Sequence, residues 1–225
     1  MEYLPPVQQQ RPHPGAQQQN GAGKYHGPIA EGYDAKRESD PKWVCEQRVI
    51  EGMLADLPAG STILDIPVGT GRFLPFYQAK GFQFVGADIS GDMLVQSALK
   101  VMPQNQVEMW VAASNERNTI LPLRIKDKGK LIVGDVRQIG LEDKSVDCGV
   151  MVRLTRWLSP DDCKVAMREL QRVCRQRIVW TARVANHKHA RTIELFESAL
   201  DGWVITGNQA GHELDYRILC CEPIA

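Results

Sequence analysis

Two glycines, Gly69 and Gly71, and an aspartate seventeen residues past the second, Asp88, have types and spacing that suit a bound ligand. Glycine lacks a β-carbon, so main-chain amides at such a turn can come within reach of a polar ligand. A carboxylate opposite the turn can accept hydrogen bonds from paired hydroxyls. Together they indicate chemistry on a ribose-bearing, nucleotide-like molecule.

The flanking residues supply the elements that must hold them. In TILDIPVGTGR, residues 62–72, Thr62, Ile63, Leu64 and Ile66 suit a buried strand, and Pro67 prevents its continuation because it has no amide hydrogen. A helix carrying Gln78 and Lys80 ends at Gly81, and FQFVGAD forms a second strand finishing in Asp88. This is a βαβ unit. Upstream, Asp40 caps and Pro41 opens a helix with Trp43, Val44, Val49, Ile50, Met53 and Leu54 on one stripe. Downstream, Ser90 or Gly91 opens a helix through about Val101, and KLIVGD reads as a strand running into Asp135. VDCGVMVR reads as a strand that leaves Arg153 at its carboxyl end, and Pro160 to Cys174 as a helix. RIVWTARV, GWVIT and HELDYRILCCEPI give further strands, the last two forming an antiparallel pair, with HARTIELFESAL a helix between. Residues 103–129 interrupt the rhythm as an insertion, and VEMWVAA and TILPLRI are expected as a hairpin, with an extended helix and a loop as the second reading.

At 225 residues and 43% apolar, the chain can bury the core of one domain. Its 27 Lys and Arg balance 27 Asp and Glu, which excludes a global field driving non-specific binding to nucleic acid or membrane. The six cysteines include no CxxC pair and read as reduced thiols, with neither a disulfide scaffold nor a metal site expected. No apolar run approaches the roughly 20 residues of a membrane helix, and MEYLPPVQQQ lacks the basic start and apolar core of an export signal. A cytoplasmic protein is expected. Residues 1–28, rich in Pro, Gln and Gly, are expected as a disordered tail before a domain over 29–225. The stretch GKYHGPIAEGYDAKR, with Tyr25 and Tyr33, either folds over a ligand as a flap or packs on the domain edge.

In order, ILDIPVGTGR, VGADIS, GDV and VDCGVMV resemble the class I S-adenosylmethionine-dependent methyltransferases from about Tyr33 onward. The resemblance implies a Rossmann-like three-layer α/β sandwich with a mostly parallel seven-stranded sheet and a reversed final strand. It implies that Asp65, Gly69 and Gly71 meet the amino-acid end of S-adenosylmethionine, that Asp88 takes the ribose, and that Ile89 packs beside adenine. It also implies that Asp135 and the Val136 amide face the adenine edge, and that Arg153 lies near the methyl donor. Pro67 stands where the family usually has glycine, which removes one donor while keeping a turn.

Methyl transfer aligns a nucleophile with a methyl carbon and requires a base only when the nucleophile arrives protonated. Arg153, His187 and Tyr33 are the candidates for a catalytic role, with His189 and His212 further possible contacts. Residues 151–191 hold ten Arg or Lys and three Asp or Glu; of these, Arg153 and Arg156 follow a strand and suit either a carboxylate or phosphate on the acceptor or a structural salt bridge. A small-molecule or metabolite-like acceptor is expected, anionic if these arginines hold it. Three alternatives stay open: a nucleic-acid methyltransferase, a non-catalytic cofactor-binding assembly protein, and a dinucleotide oxidoreductase. MVRLTRWL is not the Asn/Asp-Pro-Pro-aromatic sequence of amino-methylating base modifiers, and Leu74 stands where a dinucleotide fold needs a third Gly or Ala.

Overall fold

Side chains alternate across β1 (Thr62–Asp65), so that Ile63 packs into one apolar cluster and Leu64 into another on the opposite face. The computed structural model describes residues 25, 27–117, 119–185, 190–212 and 216–224. Around β1 the sheet adds β2 (Gln83–Asp88), β3 (Leu123–Ile125), β4 (Gly129–Val133), β5 (Val146–Met151), β6 (Cys174–Arg183), β7 (Trp203–Ala210) and β8 (Tyr216–Pro223). Their order is β3-β4-β2-β1-β5-β6-β8-β7. The run from β4 to β6 is parallel, whereas β8 is antiparallel to both β6 and β7, giving the reversed end.

Among the described residues seven α-helices surround it, the first being α1 (Pro28–Glu31) at the start of the expected domain. One face is covered by α2 (Pro41–Leu54), α3 (Leu74–Ala79), α4 (Gly91–Val101) and α5 (Gln104–Glu116), through residues such as Ile50, Tyr77, Leu94 and Trp110. The other is covered by α6 (Pro160–Val173) and α7 (Ile193–Glu197), through Met167, Leu170 and Phe196. These are the three layers. Caps expected from sequence are formed: the Asp40 carboxylate accepts from the Lys42 amide at 2.9 Å, and Ser90 opens α4. All six cysteines are free, five of them buried, and no described helix is long and apolar enough to cross a membrane.

The expected hairpin within 103–129 is not formed. VEMWVAA lies inside α5, and TILPLRI contributes only β3, which pairs antiparallel with β4 as an eighth, edge strand. The reason is spacing: Val107, Trp110 and Ser114 recur every three or four residues and are the buried face of α5. Tertiary contacts fix that face, because the Trp110 ring Nε1 donates to the Leu121 carbonyl at 2.9 Å and the Leu121 amide donates to Ser114 Oγ at 3.2 Å. Trp110→Ala should lower stability by about 3–5 kcal/mol, as for other buried aromatic deletions. Urea unfolding checks this, and an unchanged midpoint would show that the ring does not key α5 to the sheet edge.

Candidate functional site

Parallel pairing brings the carboxyl ends of β1, β2, β4 and β5 to one edge of the sheet, and β1 lies between β2 and β5 where the connections reverse direction. Open α/β sheets leave a crevice there. In this chain it is a cleft with about 1100 Å³ of empty space including its open mouth. Asp65, Pro67, Gly69, Asp88, Ile89, Asp135, Val136 and Arg153 all line it, as does Tyr33.

The glycine turn is tied down from three sides. Val68 donates its amide to the Ala87 carbonyl at 2.8 Å, Ser97 Oγ on α4 donates to the Gly69 carbonyl at 2.7 Å, and the Ile66–Pro67 peptide is cis. Gly69 has φ 56°, and a β-carbon there would meet nothing within 4 Å, so its backbone borders open cleft. Gly71 lies behind the residues that line the cleft; with φ 74°, an added β-carbon would lie 2.8 Å from Leu74 Cδ1 and 3.1 Å from Ser97 Cα. Glycine there lets α3 and α4 close on each other.

Two carboxylates are buried in the wall. Asp88 accepts the Gly69 and Ser90 amides, each at 2.9 Å, yet burial still raises its carboxyl to about 6. Asp65 receives the Tyr77 hydroxyl at 3.2 Å, and burial raises it further, to about 8. Asp135 is held by Arg137, whose Nε lies 3.0 and 3.2 Å and Nη2 2.5 Å from its oxygens; Arg137 was not singled out from sequence. Ile89 is 41% exposed, presenting an apolar side chain to the cleft, while Val136 is buried.

The segment from Tyr25 to Asp40 crosses this edge. Ser90 Oγ donates to the Tyr25 carbonyl at 2.8 Å, the Gly27 amide donates to Asp92 at 2.8 Å, and Thr70 of the turn donates to Asp34 at 2.6 Å. Tyr25 packs edge-on against Tyr33 and Trp157, and Tyr33 against Trp43. Among the described residues the contact already includes Tyr25, ahead of the expected boundary at residue 29. Burial raises the Tyr33 hydroxyl above its ordinary value, so it stays protonated at neutral pH.

Sequence reasoning missed the residue that braces the cleft. Glu46 on α2 is 1% exposed and accepts Arg72 Nη1 at 2.6 Å, Arg153 Nε at 2.9 Å and the Tyr216 hydroxyl. Both guanidiniums also sit over the Trp43 ring, at 3.9 and 4.9 Å. Its signal was its position three residues past Trp43, on the buried stripe of α2, where an unpaired acid would be costly. Arg153, expected beside the methyl donor, does line the cleft, but its Nε is committed to Glu46. His187 and His189 lie outside the described residues, and His212 lines a second cavity instead of the cleft.

Removing one member of a buried ionic cluster leaves the others uncompensated, so Glu46→Ala should cost about 3–5 kcal/mol. Guanidinium unfolding checks it, and a loss within error of zero would show the cluster is not holding α2 to the turn. Asp65 gives a pH signature. Between its ordinary 3.8 and about 8 the folded chain keeps a proton that the unfolded chain has lost, so its contribution to stability falls as pH rises through that window. Asp65→Asn cannot ionise, so its melting temperature relative to the parent should climb from pH 5 to pH 8; a constant difference would contradict the buried-carboxylate account.

Comparison with known proteins follows the same lines. Residues 64–177 match a methyltransferase domain family, which is half of the chain. None of the curated proteins matches. Among solved structures, magnesium protoporphyrin IX methyltransferase (ChlM) from Synechocystis PCC 6803 with bound SAM superposes with a TM-score of 0.65 at 14% identity, covering 90% of this chain and 94% of that one. A TehB-like SAM-dependent methyltransferase from Corynebacterium glutamicum gives 0.57 at 17% identity, covering 86% and 97%. The [4+2]-cyclase SpnF gives 0.55 at 15%, covering 78% and 80%. At these identities the structures share the fold, and the family match carries the assignment: the chain belongs to the class I S-adenosylmethionine-dependent methyltransferases.

Proposed function

We propose that the chain transfers a methyl group from S-adenosylmethionine to a small-molecule acceptor by in-line displacement. The observation that carries this reading is the pair of buried acids at adjacent parallel strand ends, Asp65 and Asp88, on either side of an open glycine backbone. Such a site fits a ligand with a cationic amino-acid end and a ribose: Asp65 is suited to an ammonium group and Asp88 to vicinal hydroxyls. Ile89 and Val136 would flank the adenine, and Asp135, oriented by Arg137, would accept from its amino edge. When bound, S-adenosylmethionine supplies a methyl group on a sulfonium, activated for displacement.

The chain's own contribution is alignment and exclusion of water. The segment carrying Tyr25 and Tyr33 closes one side of the cleft with aromatic surface. Arg153, fixed by Glu46, orients what enters beside it. The described cleft residues include no histidine, and Asp65 and Asp88 are engaged with the cofactor in this reading. An acceptor that arrives already deprotonated fits this lining best. The overall charge of zero favours a small acceptor over nucleic acid, and the family neighbour ChlM acts on a small molecule by its name. Six free cysteines accord with a reducing, cytoplasmic setting.

Calorimetric titration tests the cofactor first. S-adenosylmethionine and its demethylated product should bind and NAD should not, and Asp88→Ala should weaken binding by at least about tenfold, since hydrogen bonds to charged groups are each worth about 1.5–3 kcal/mol. Preferential binding of NAD, or unchanged affinity in the variant, would refute the assignment. Labelled methyl supplied to separated RNA, DNA, protein and small-molecule fractions of a host extract should then appear in the small molecules; label confined to nucleic acid would reverse the choice of acceptor.

A further inference from the structure

Beside the residues assigned to the cofactor, the cleft has an aromatic corner. Tyr25 and Tyr33 of the crossing segment, Trp43 of α2 and Trp157 in the turn after β5 all line it, which is two of the chain's five Tyr and two of its five Trp. Tyr25 stands edge-on to both Tyr33 and Trp157, with centroids 5.5 and 6.3 Å away and interplanar angles of 83° and 90°, and Tyr33 lies 6.0 Å from Trp43. Rings that meet at right angles do not cover one another's faces, and Tyr33 and Trp157 are only partly buried. Val152 and Leu154 at the exit of β5 continue the same wall in aliphatic surface.

This corner lies apart from the carboxylates. Val152, Leu154 and Trp157 follow β5, whereas Asp88 ends β2 and Asp135 follows β4, on the other side of β1. Three of the four rings also hold a guanidinium of this chain. Arg37 lies 3.7 Å from the centre of the Tyr33 ring, Arg72 and Arg153 lie 3.9 and 4.9 Å from that of Trp43, and Arg156 lies 4.9 Å from that of Trp157. The attraction these rings offer to a cation is thus already engaged, and a second cation across the same ring would be repelled by the first. A flat aromatic guest meets no such repulsion and gains stacked or edge-on contacts.

We infer that the aromatic corner is the acceptor subsite, and that the acceptor is a flat aromatic small molecule without positive charge whose ring packs against Tyr33 and Trp157. The inference rests on the methyltransferase reading of the cleft and adds the chemical class of its acceptor. Tyr33 then sets specificity through its ring, which the crossing segment holds over the exit of β5.

The full chain, saturated with S-adenosylhomocysteine, is titrated calorimetrically with 2-naphthol, with its saturated counterpart decahydro-2-naphthol and with 2-naphthyltrimethylammonium. 2-Naphthol should bind about threefold or more tighter than either of the others, the gain that ring-on-ring contact adds to burial alone. Tyr33→Leu should bind 2-naphthol about threefold or more weakly than the parent, and Tyr33→Phe, which keeps the ring, should bind it as the parent does. The leucine variant should still bind S-adenosylhomocysteine, which also shows that it folds; if it does not, Trp157→Leu takes its place with the same expectation. No binding of 2-naphthol, equal or tighter binding of the saturated alcohol or the cation, equal 2-naphthol binding by the leucine variant, or an equal loss in Tyr33→Phe overturns the subsite. Failure of the parent to bind S-adenosylhomocysteine instead overturns the cofactor reading, and this inference with it.

Discussion

The Glu46 carboxylate is the contact on which the cleft depends. A carboxylate shielded from water is stable as an ion only when opposing charge and hydrogen-bond donors surround it, and here they come from three other parts of the fold. Arg72 belongs to the glycine turn, Arg153 to the exit of β5 and Tyr216 to β8, so one side chain fixes three distances at once. Trp43 reinforces the same arrangement, because its ring lies under both guanidiniums and its carbonyl accepts Arg72 Nη2 at 2.7 Å. The helix α2 is thus more than a cover for the sheet. It sets how far the glycine turn stands from the strand end across the cleft.

Stability and function pull against each other at Asp65 and Asp88. Both sit where burial raises the carboxyl, so ionising either one is disfavoured in the ligand-free chain, and Asp65 keeps its proton up to about pH 8. The backbone reduces this at Asp88 with two amides, one from the glycine turn itself, and that bond couples β2 to β1. At Asp65 the compensation is a single tyrosine hydroxyl. A cationic ligand group would supply what is missing there, which is why a site of this kind is less comfortable empty than full.

What the sequence made legible was local. The strand, turn, helix and second strand over 62–88 are continuous in the chain, and each carries its own signal: β-branched residues, a proline stop, glycines and a terminal acid. The caps at Asp40 and Ser90 are equally local. Long-range pairings were not legible, because Glu46 meets its three partners across 26, 107 and 170 residues and nothing in one sequence links those positions. The failure at 107–113 has a different origin. Valine and tryptophan favour strands, but the three- and four-residue spacing of Val107, Trp110 and Ser114 decided the outcome, so packing overrode propensity. At Gly71 a second demand was hidden as well: helix packing requires glycine there whatever the ligand does, and only the nearness of Ser97 reveals it.

The fold itself does not choose the reaction, since the [4+2]-cyclase SpnF shares it with the methyltransferases. Specificity must then lie in what the strand ends and loops carry beyond the cofactor turn. In this chain those parts share a common feature. The segment from Tyr25 crosses to Ser90, Asp92 and Thr70, and Arg156 Nη2 reaches the Tyr25 hydroxyl at 3.2 Å from the far side. The same Arg156 lines the second cavity with Arg153. A shift of Arg156 would therefore also alter the hold on Tyr25, so the two walls move as coupled parts.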